Sequence, residues 1–147
     1  MKNIIVTGTS KGIGRAISDW FLDHGHRVIE ITRGESISVN RESGNHFIIE
    51  FDWKDFKGLA IHIKEMTQSN IDILINNAGY LKSGDLSEVD QSEFNLHMEV
   101  NVWYPLELCR HLIKGEVLSS DAHVLNIGSV GGVQGTLKFG GLFSYST

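Results

Sequence analysis

The sequence predicts an α/β fold, a single doubly wound parallel sheet with helices on both faces. Three observations carry this. Short apolar runs alternate with longer stretches in which apolar residues recur at helical spacing. The runs are continuous rather than alternating, as strands buried on both faces require. Each unusual residue cluster falls just past the end of a run, and in such a sheet that edge is where ligands bind.

The elements follow in chain order. Lys2 to Thr7 (KNIIVT) is an apolar run closed by glycine, a buried first strand. Between Gly12 and Gly25, the residues Ile13, Ala16, Ile17, Trp20 and Phe21 make one face of a helix, and Gly25 is its stop. Arg27 to Thr32 (RVIEIT) reads as the second strand and His46 to Asp52 (HFIIEFD) as the third. Phe56, Leu59, Ala60 and Ile63 give the next amphipathic helix, and Ile71 to Asn76 (IDILIN) the fourth strand. Asp90 opens a long helical region as N-cap, with Glu93 three residues on. Its apolar stripe is Met98, Val102, Leu106, Cys109 and Ile113. Ala122 to Ile127 (AHVLNI) is the fifth strand, and Gly128 to Thr147, rich in Gly, Ser and Thr, reads as loop. Right-handed crossovers make the sheet doubly wound, and the predicted strand order is 3-2-1-4-5. The fifth is then a bare apolar edge.

Composition narrows the function classes. The 147 residues suffice for one domain, 1–147, with no repeat and no linker. Hydrophobic residues are 41% and charged residues 21%, and the net charge of -5 comes with no basic stripe. Nucleic acid is not an expected partner. The N-terminus is too short in apolar residues for a signal peptide, and no run approaches the ~20 apolar residues of a membrane span. The single cysteine, Cys109, excludes an internal disulfide and suits a reducing, cytoplasmic setting. It falls in the apolar stripe and is expected in the core. No metal site is expected.

Five clusters lie at the strand ends. Thr7-Gly8-Thr9-Ser10-Lys11-Gly12-Ile13-Gly14 follows the first strand, Arg33 the second, and Asp52 closes the third. Asn76-Asn77-Ala78-Gly79 follows the fourth and Gly128-Ser129 the fifth. Glycines at 8, 12 and 14 allow a tight turn and let a pyrophosphate approach the backbone. The helix that starts near Gly12 presents free N–H groups and the positive end of its dipole.

The TGxxxGIG spacing of Thr7 to Gly14, together with the NNAG of Asn76 to Gly79, resembles the short-chain dehydrogenase/reductase family. The resemblance extends from Thr7 to Tyr145. It implies a Rossmann fold, a nicotinamide cofactor and hydride exchange with an alcohol or carbonyl substrate. By this resemblance Thr7, Gly8, Ser10, Lys11, Gly12, Ile13 and Gly14 hold the cofactor. Asn77, Ala78 and Gly79 line its site, with Asn76 supporting the sheet, and Asp52 meets the adenine ring. A homo-oligomer is the family expectation.

Cofactor choice turns on the end of the second strand. An acid about 20 residues beyond the glycines bonds the ribose hydroxyls of NAD. Thr32 stands there instead, followed by Arg33, whose guanidinium suits a 2′-phosphate, with Lys11 as a second cation. The competing acid, Glu30, lies two residues earlier inside the strand. NADP(H) is the expected cofactor, ahead of NAD(H).

The catalytic residues come by resemblance. Ser129 would hydrogen-bond the substrate oxygen, Tyr145 would donate or accept the proton, and Asn101 matches the family's further catalytic member. Pro105 lies four residues after Asn101 and has no N–H, so a helix there bends and leaves the Asn101 carbonyl free to hold a relay water. The interval from Ser129 to Tyr145 is slightly long for the family, which implies an expanded loop around Gly131 to Gly141. Tyr80, Leu81 and the Gly131 to Phe143 loop are candidates for the substrate pocket.

The family places a lysine four residues after the tyrosine, and this sequence ends at Thr147. That lysine orients the ribose and lowers the tyrosine pKa from about 10 to about 7, roughly 4 kcal/mol of interaction. The expectation is therefore a chain lacking the C-terminal strands of a longer protein, with little dehydrogenase activity by itself. The alternatives are a non-catalytic NADP(H)-binding protein or an inactive fragment.

Overall fold

The structure, a computed structural model, describes residues 1–35, 37–135 and 140–146, without the side chains of Arg41 and Glu42. Part of the Gly131 to Phe143 loop and Thr147 lie outside the described residues. The chain runs β1 (Asn3–Thr7), α1 (Gly12–Asp23), β2 (Arg27–Arg33), β3 (Ser38–Ser43), β4 (His46–Phe51), α2 (Phe56–Thr67) and β5 (Ile71–Asn76). It continues through α3 (Gln91–Met98), a π turn over Glu99–Trp103, α4 (Tyr104–Lys114), β6 (Leu118–Asn126) and α5 (Phe143–Ser146). The sheet order is β3-β4-β2-β1-β5-β6. Omitting β3, this is the order the sequence predicts, and those five strands pair in parallel.

β3 is the correction. It pairs antiparallel with β4 and makes the outer edge of the sheet. Its sequence, SVNRES, carries one apolar residue, because an edge strand gains its order from the ladder rather than from burial. The Gly44-Asn45 link between β3 and β4 was the legible signal, being a two-residue hairpin connection.

The pleat sends alternate residues to opposite faces. Ile4, Val6, Val28 and Ile75 pack under Ile17, Phe21 and Leu22 of α1. Ile5, Ile29, Ile31, Ile49 and Leu74 join Leu59 and Ile63 of α2 and Leu108 and Leu112 of α4 on the other face. α1 ends at Asp23, followed by Gly25 at φ 74°, as the glycine stop implies. α2 is capped by Asp55, whose carboxylate accepts from the Gly58 N–H at 2.9 Å.

The helical stripe over α3 and α4 is a second correction. Met98, Val102, Leu106 and Ile113 are exposed, while His97, Leu108 and Leu112 are buried. α4 carries two apolar rows, and periodicity alone does not say which one meets the sheet. The π turn also shifts the register between α3 and α4, so a stripe drawn across it does not stay on one face. Cys109 is half-buried and packs against the core. β6 starts earlier than the sequence suggests, and its Val124 and Leu125 are exposed at the sheet edge. The tail contains a 3₁₀ turn at Val130–Gly132 and the short α5, where loop was expected.

Candidate functional site

A cleft of about 1100 Å³ opens at the carboxyl ends of β1, β2, β4 and β5. That is large for a ligand pocket. Its floor is built by two loops that lock together. The Thr7 hydroxyl accepts the backbone N–H groups of Asn77 and Ala78 at 3.0 and 2.9 Å. The Asn77 amide in turn donates to the carbonyls of Thr7 and Gly8 at 2.9 and 3.0 Å. These bonds demand close backbones. A Cβ on Gly8 would lie 2.8 Å from the Ala78 Cα, and one on Gly14 would overlap the Asn77 amide and the Gly8 carbonyl. Gly8 and Gly14 are thus fixed by close contact as much as by the turn, whereas Gly12, at φ 64°, has open space around it.

Behind this floor, Asn76 donates its side-chain N–H to the Asn126 carboxamide at 2.9 Å, tying the end of β5 to the end of β6. α1 starts at Gly12 with no side-chain cap from Lys11 and no acid in its first turn. Its leading amides therefore face the cleft without a competing side chain.

Of the sequence-assigned residues, Thr7, Gly8, Ser10, Lys11, Gly12, Ile13, Arg33, Asp52, Asn77, Ala78 and Gly79 all line the cleft. Gly14 stands just behind them. Glu30 does not line it. That acid turns toward α1, is fully buried, and hydrogen-bonds Thr9 and Ser18. Among the described residues neither Lys11 nor Arg33 is held in an ion pair.

The cleft also holds residues the sequence reading passed over. Glu35, Trp53, Lys54 and Tyr104 line it. Trp53 stacks on Tyr104 with ring centroids 5.3 Å apart and planes at 7°. The signal for Trp53 was its place directly after Asp52; Tyr104 is a long-range partner that the sequence did not mark. Lys54 stands 3.8 Å from Asp52. The lining side chains thus include the cations Lys11, Arg33 and Lys54 against the acids Glu35 and Asp52.

The three residues assigned to chemistry fall in two groups, Asn101 in one and Ser129 with Tyr145 in the other. Asn101 sits in the π turn, where the Tyr104 N–H reaches back to the Glu99 carbonyl just ahead of Pro105. Its carboxamide is fully engaged: Oδ1 accepts from the Tyr80 N–H at 2.7 Å and Nδ2 donates to the Tyr80 carbonyl at 2.9 Å. The side chain therefore clamps the loop after β5. Ser129 caps the 3₁₀ turn, its hydroxyl accepting from the Gly131 N–H at 3.1 Å. Tyr145 lies on α5, and the two meet around Gly131, where a Cβ would be 3.3 Å from Ser129 Oγ and 3.7 Å from Tyr145 Cδ1. Neither Ser129 nor Tyr145 lines the cleft. Tyr80 and Leu81 do line it. Burial and the neighbouring Glu93 carboxylate push the Tyr80 hydroxyl above its ordinary pKa. Among the described residues no group of three or more His, Cys, Asp or Glu could hold a metal ion, and no helix is long and apolar enough to cross a membrane.

Comparison with known proteins gives consistent matches. The family model for short chain dehydrogenases matches residues 2–147. A 3-oxoacyl-[acyl-carrier-protein] reductase of Vibrio cholerae is 30% identical over 146 residues, covering 91% of this chain and 57% of the relative. The oxidoreductase YvrD of Bacillus subtilis is 30% identical over 139 residues, covering 90% of this chain and 53% of the relative. Among solved structures, a short-chain dehydrogenase/reductase from Serratia marcescens superposes with a TM-score of 0.80 at 25% identity, covering 99% of this chain and 64% of that one. An aldohexose dehydrogenase from Thermoplasma acidophilum gives 0.78 at 30% identity, covering 99% of this chain and 55% of that one. The chain spans about half the length of the curated relatives it matches.

Proposed function

Because this chain belongs to the short-chain dehydrogenase family, we propose that it carries the cofactor half of an oxidoreductase that exchanges hydride between NADP(H) and a carbonyl or alcohol substrate. The observation that carries the reading is the interlock of Thr7 and Gly8 with Asn77 and Ala78 beneath an uncapped helix N-terminus. The residues present fit a dinucleotide. The backbone at Gly8 is drawn in so closely that a Cβ would press on Ala78, which leaves room above it for a pyrophosphate on the α1 amides.

The choice of NADP(H) over NAD(H) is supported by the inward turn of Glu30 and by Lys11 and Arg33 at the cleft wall, cations outside any ion pair among the described residues. A guanidinium matches a phosphate dianion in both charge and hydrogen-bond geometry. In this reading Asp52 meets the adenine ring with Trp53 beside it, and Asn77 to Gly79 line the cofactor site.

When bound, the nicotinamide supplies the hydride, a chemistry that belongs to the cofactor. What the chain adds is positioning and proton handling. Ser129 Oγ holds the substrate oxygen, and Tyr145 Oη gives it a proton in reduction or removes one in oxidation. Asn101 keeps the Tyr80 loop in place, and its backbone carbonyl, four residues ahead of a proline that lacks an N–H, holds a water for the proton path. The protein works in a reducing, cytoplasmic compartment with Cys109 unpaired. We take the exposed apolar residues Leu106 and Ile113 of α4 as the contact between copies in a homo-oligomer.

A second reading, nucleotide binding without turnover, is favoured by one observation: the cleft lining stops short of Ser129 and Tyr145. Both readings are tested together. NADPH and NADH are titrated against the purified protein, and NADPH consumption is then followed with a 3-oxoacyl thioester and with an aldohexose lactone. Tighter binding of NADPH with turnover supports the reductase. Binding without turnover supports the second reading, and binding of neither nucleotide rejects both.

A further inference from the structure

One acid lies in the interior of the sheet. Glu30 sits in the middle of β2, facing α1, with 0% of its surface exposed. An ionised carboxylate in that position costs several kcal/mol unless partners surround it. Four side chains do. Thr9 Oγ1 donates to Oε2 at 2.7 Å, and Ser18 Oγ donates to Oε1 at 2.5 Å. His46 Nε2 stands 2.9 Å from Oε1, and since an ionised carboxylate only accepts, the imidazole donates. Arg15 Nη1 approaches Oε1 at 3.4 Å and is shared with Asp19 at 3.8 Å. Burial by itself would raise the Glu30 pKa. The bonds from Ser18, Thr9 and His46 and the charge on Arg15 outweigh it and hold the carboxyl below its ordinary value.

The partners come from three places in the chain. Thr9 lies in the glycine loop between Gly8 and Ser10, both of which line the cleft. Arg15 and Ser18 stand on α1, whose N-terminus opens onto the cleft. His46 begins β4, the strand that leads to Asp52. One carboxylate therefore ties the loop, the helix and two strands together beneath the site. Thr9 stands at an unassigned position of the glycine loop, and Arg15, Ser18 and His46 lie outside the motif residues assigned to the cofactor.

We propose that Glu30 is a positioning residue for the cofactor: acting through Thr9, its buried carboxylate holds the glycine loop in the shape that receives the pyrophosphate. The proposal rests on the reading of the cleft as a nicotinamide dinucleotide site. Thr9 has a stiff, β-branched side chain, so fixing its hydroxyl fixes its χ1 and the backbone on either side. A loop ordered before the nucleotide arrives loses less entropy on binding. A purely structural role for Glu30 would lower stability and leave the affinity of the folded protein unchanged. A positioning role weakens binding in protein that remains folded, and the loss passes through Thr9.

The experiment is a titration with NADPH, and in parallel NADH, read by energy transfer from Trp53 in the cleft to the reduced nicotinamide. It compares the wild type with Thr9→Val, Thr9→Ser, Glu30→Gln and the Thr9→Val/Glu30→Gln double variant, each checked for folding by circular dichroism. Thr9→Val keeps the shape and removes the hydroxyl. It and Glu30→Gln should each weaken NADPH binding by roughly tenfold, the scale of one hydrogen bond to a charged group. Thr9→Ser, which retains the hydroxyl, should stay near the wild type. The double variant should be no weaker than either single, because both remove the same link. Wild-type affinity in folded Thr9→Val overturns the proposal while leaving the cofactor reading intact, and this variant decides alone if Glu30→Gln does not fold. A wild type that binds neither nucleotide overturns the cofactor reading and the proposal with it.

Discussion

Thr7 and Asn77 hold each other by two routes. The Thr7 hydroxyl accepts the Asn77 N–H at 3.0 Å, and the Asn77 amide donates back to the Thr7 carbonyl at 2.9 Å. The two residues are 70 apart in sequence, Thr7 ending β1 and Asn77 directly following the neighbouring β5, so this pair joins the two loops that form the floor of the cleft. Asn77→Ala removes the side-chain half and leaves the Thr7 and Gly8 carbonyls without that donor. The expected cost is about 1–3 kcal/mol of stability, together with weaker NADPH binding. Urea denaturation and nucleotide titration of the same preparation check both.

Gly14 tests how tightly the loops meet. A methyl group there overlaps the Asn77 amide and the Gly8 carbonyl, and backbone has little freedom to give way. Gly14→Ala is expected to destabilise by about 1–3 kcal/mol and to reduce cofactor affinity in the folded fraction. An unchanged urea midpoint would show that the two loops have slack.

The proposed NADP(H) preference rests on the cations at the cleft wall. Arg33→Ala should weaken NADPH binding by roughly tenfold and leave NADH binding nearly unchanged, since only NADPH carries the 2′-phosphate. Lys11→Ala should act in the same direction. The ratio of the two dissociation constants is the measurement, and equal losses for both nucleotides would place Arg33 away from the 2′ position.

Glu30 makes stability depend on acid. Its carboxyl lies below the ordinary value of 4.5, held there by Ser18, Thr9, His46 and Arg15 against the effect of burial. The charged form is the one favoured by folding. Its contribution is therefore fully present above the ordinary value and lost as pH falls through the lower folded value. The charged and titratable groups around it are Arg15 and His46, with Asp19 beyond Arg15. Urea midpoints measured from neutral to acid pH should show a gap between wild type and Glu30→Gln that narrows as the pH falls. A constant gap would mean that the carboxylate charge does not contribute.

The face of α4 is open to a direct comparison. Leu108 is 0% exposed and Leu106 is 53% exposed. Leu108→Ala is expected to cost about 2–5 kcal/mol, while Leu106→Ala should stay within about 0.5 kcal/mol. Thermal or urea unfolding of the two variants decides which row meets the sheet. A dilution series of Leu106→Ala also reports on contact between copies.

The sequence by itself determined the five parallel strands, their order and the edge at which the motif residues gather. Buried parallel strands must be continuous apolar runs, and right-handed crossovers leave few orders open. It also marked the glycine loop, the Asn pair, Arg33 and Asp52, because tight turns and phosphate cradles need particular residue types at fixed spacing. Tertiary structure decided the rest. β3 has no apolar pattern, since its order comes from pairing with β4. The outward face of Leu106 and Ile113 was settled by competition between two apolar rows of α4 for one sheet surface. The stacking of Trp53 on Tyr104 and the gathering of Thr9, Ser18 and His46 on Glu30 join residues far apart in the chain. A glutamate amid RVIEIT shows that a buried acid needs partners. Only the folded packing says which side chains reach it.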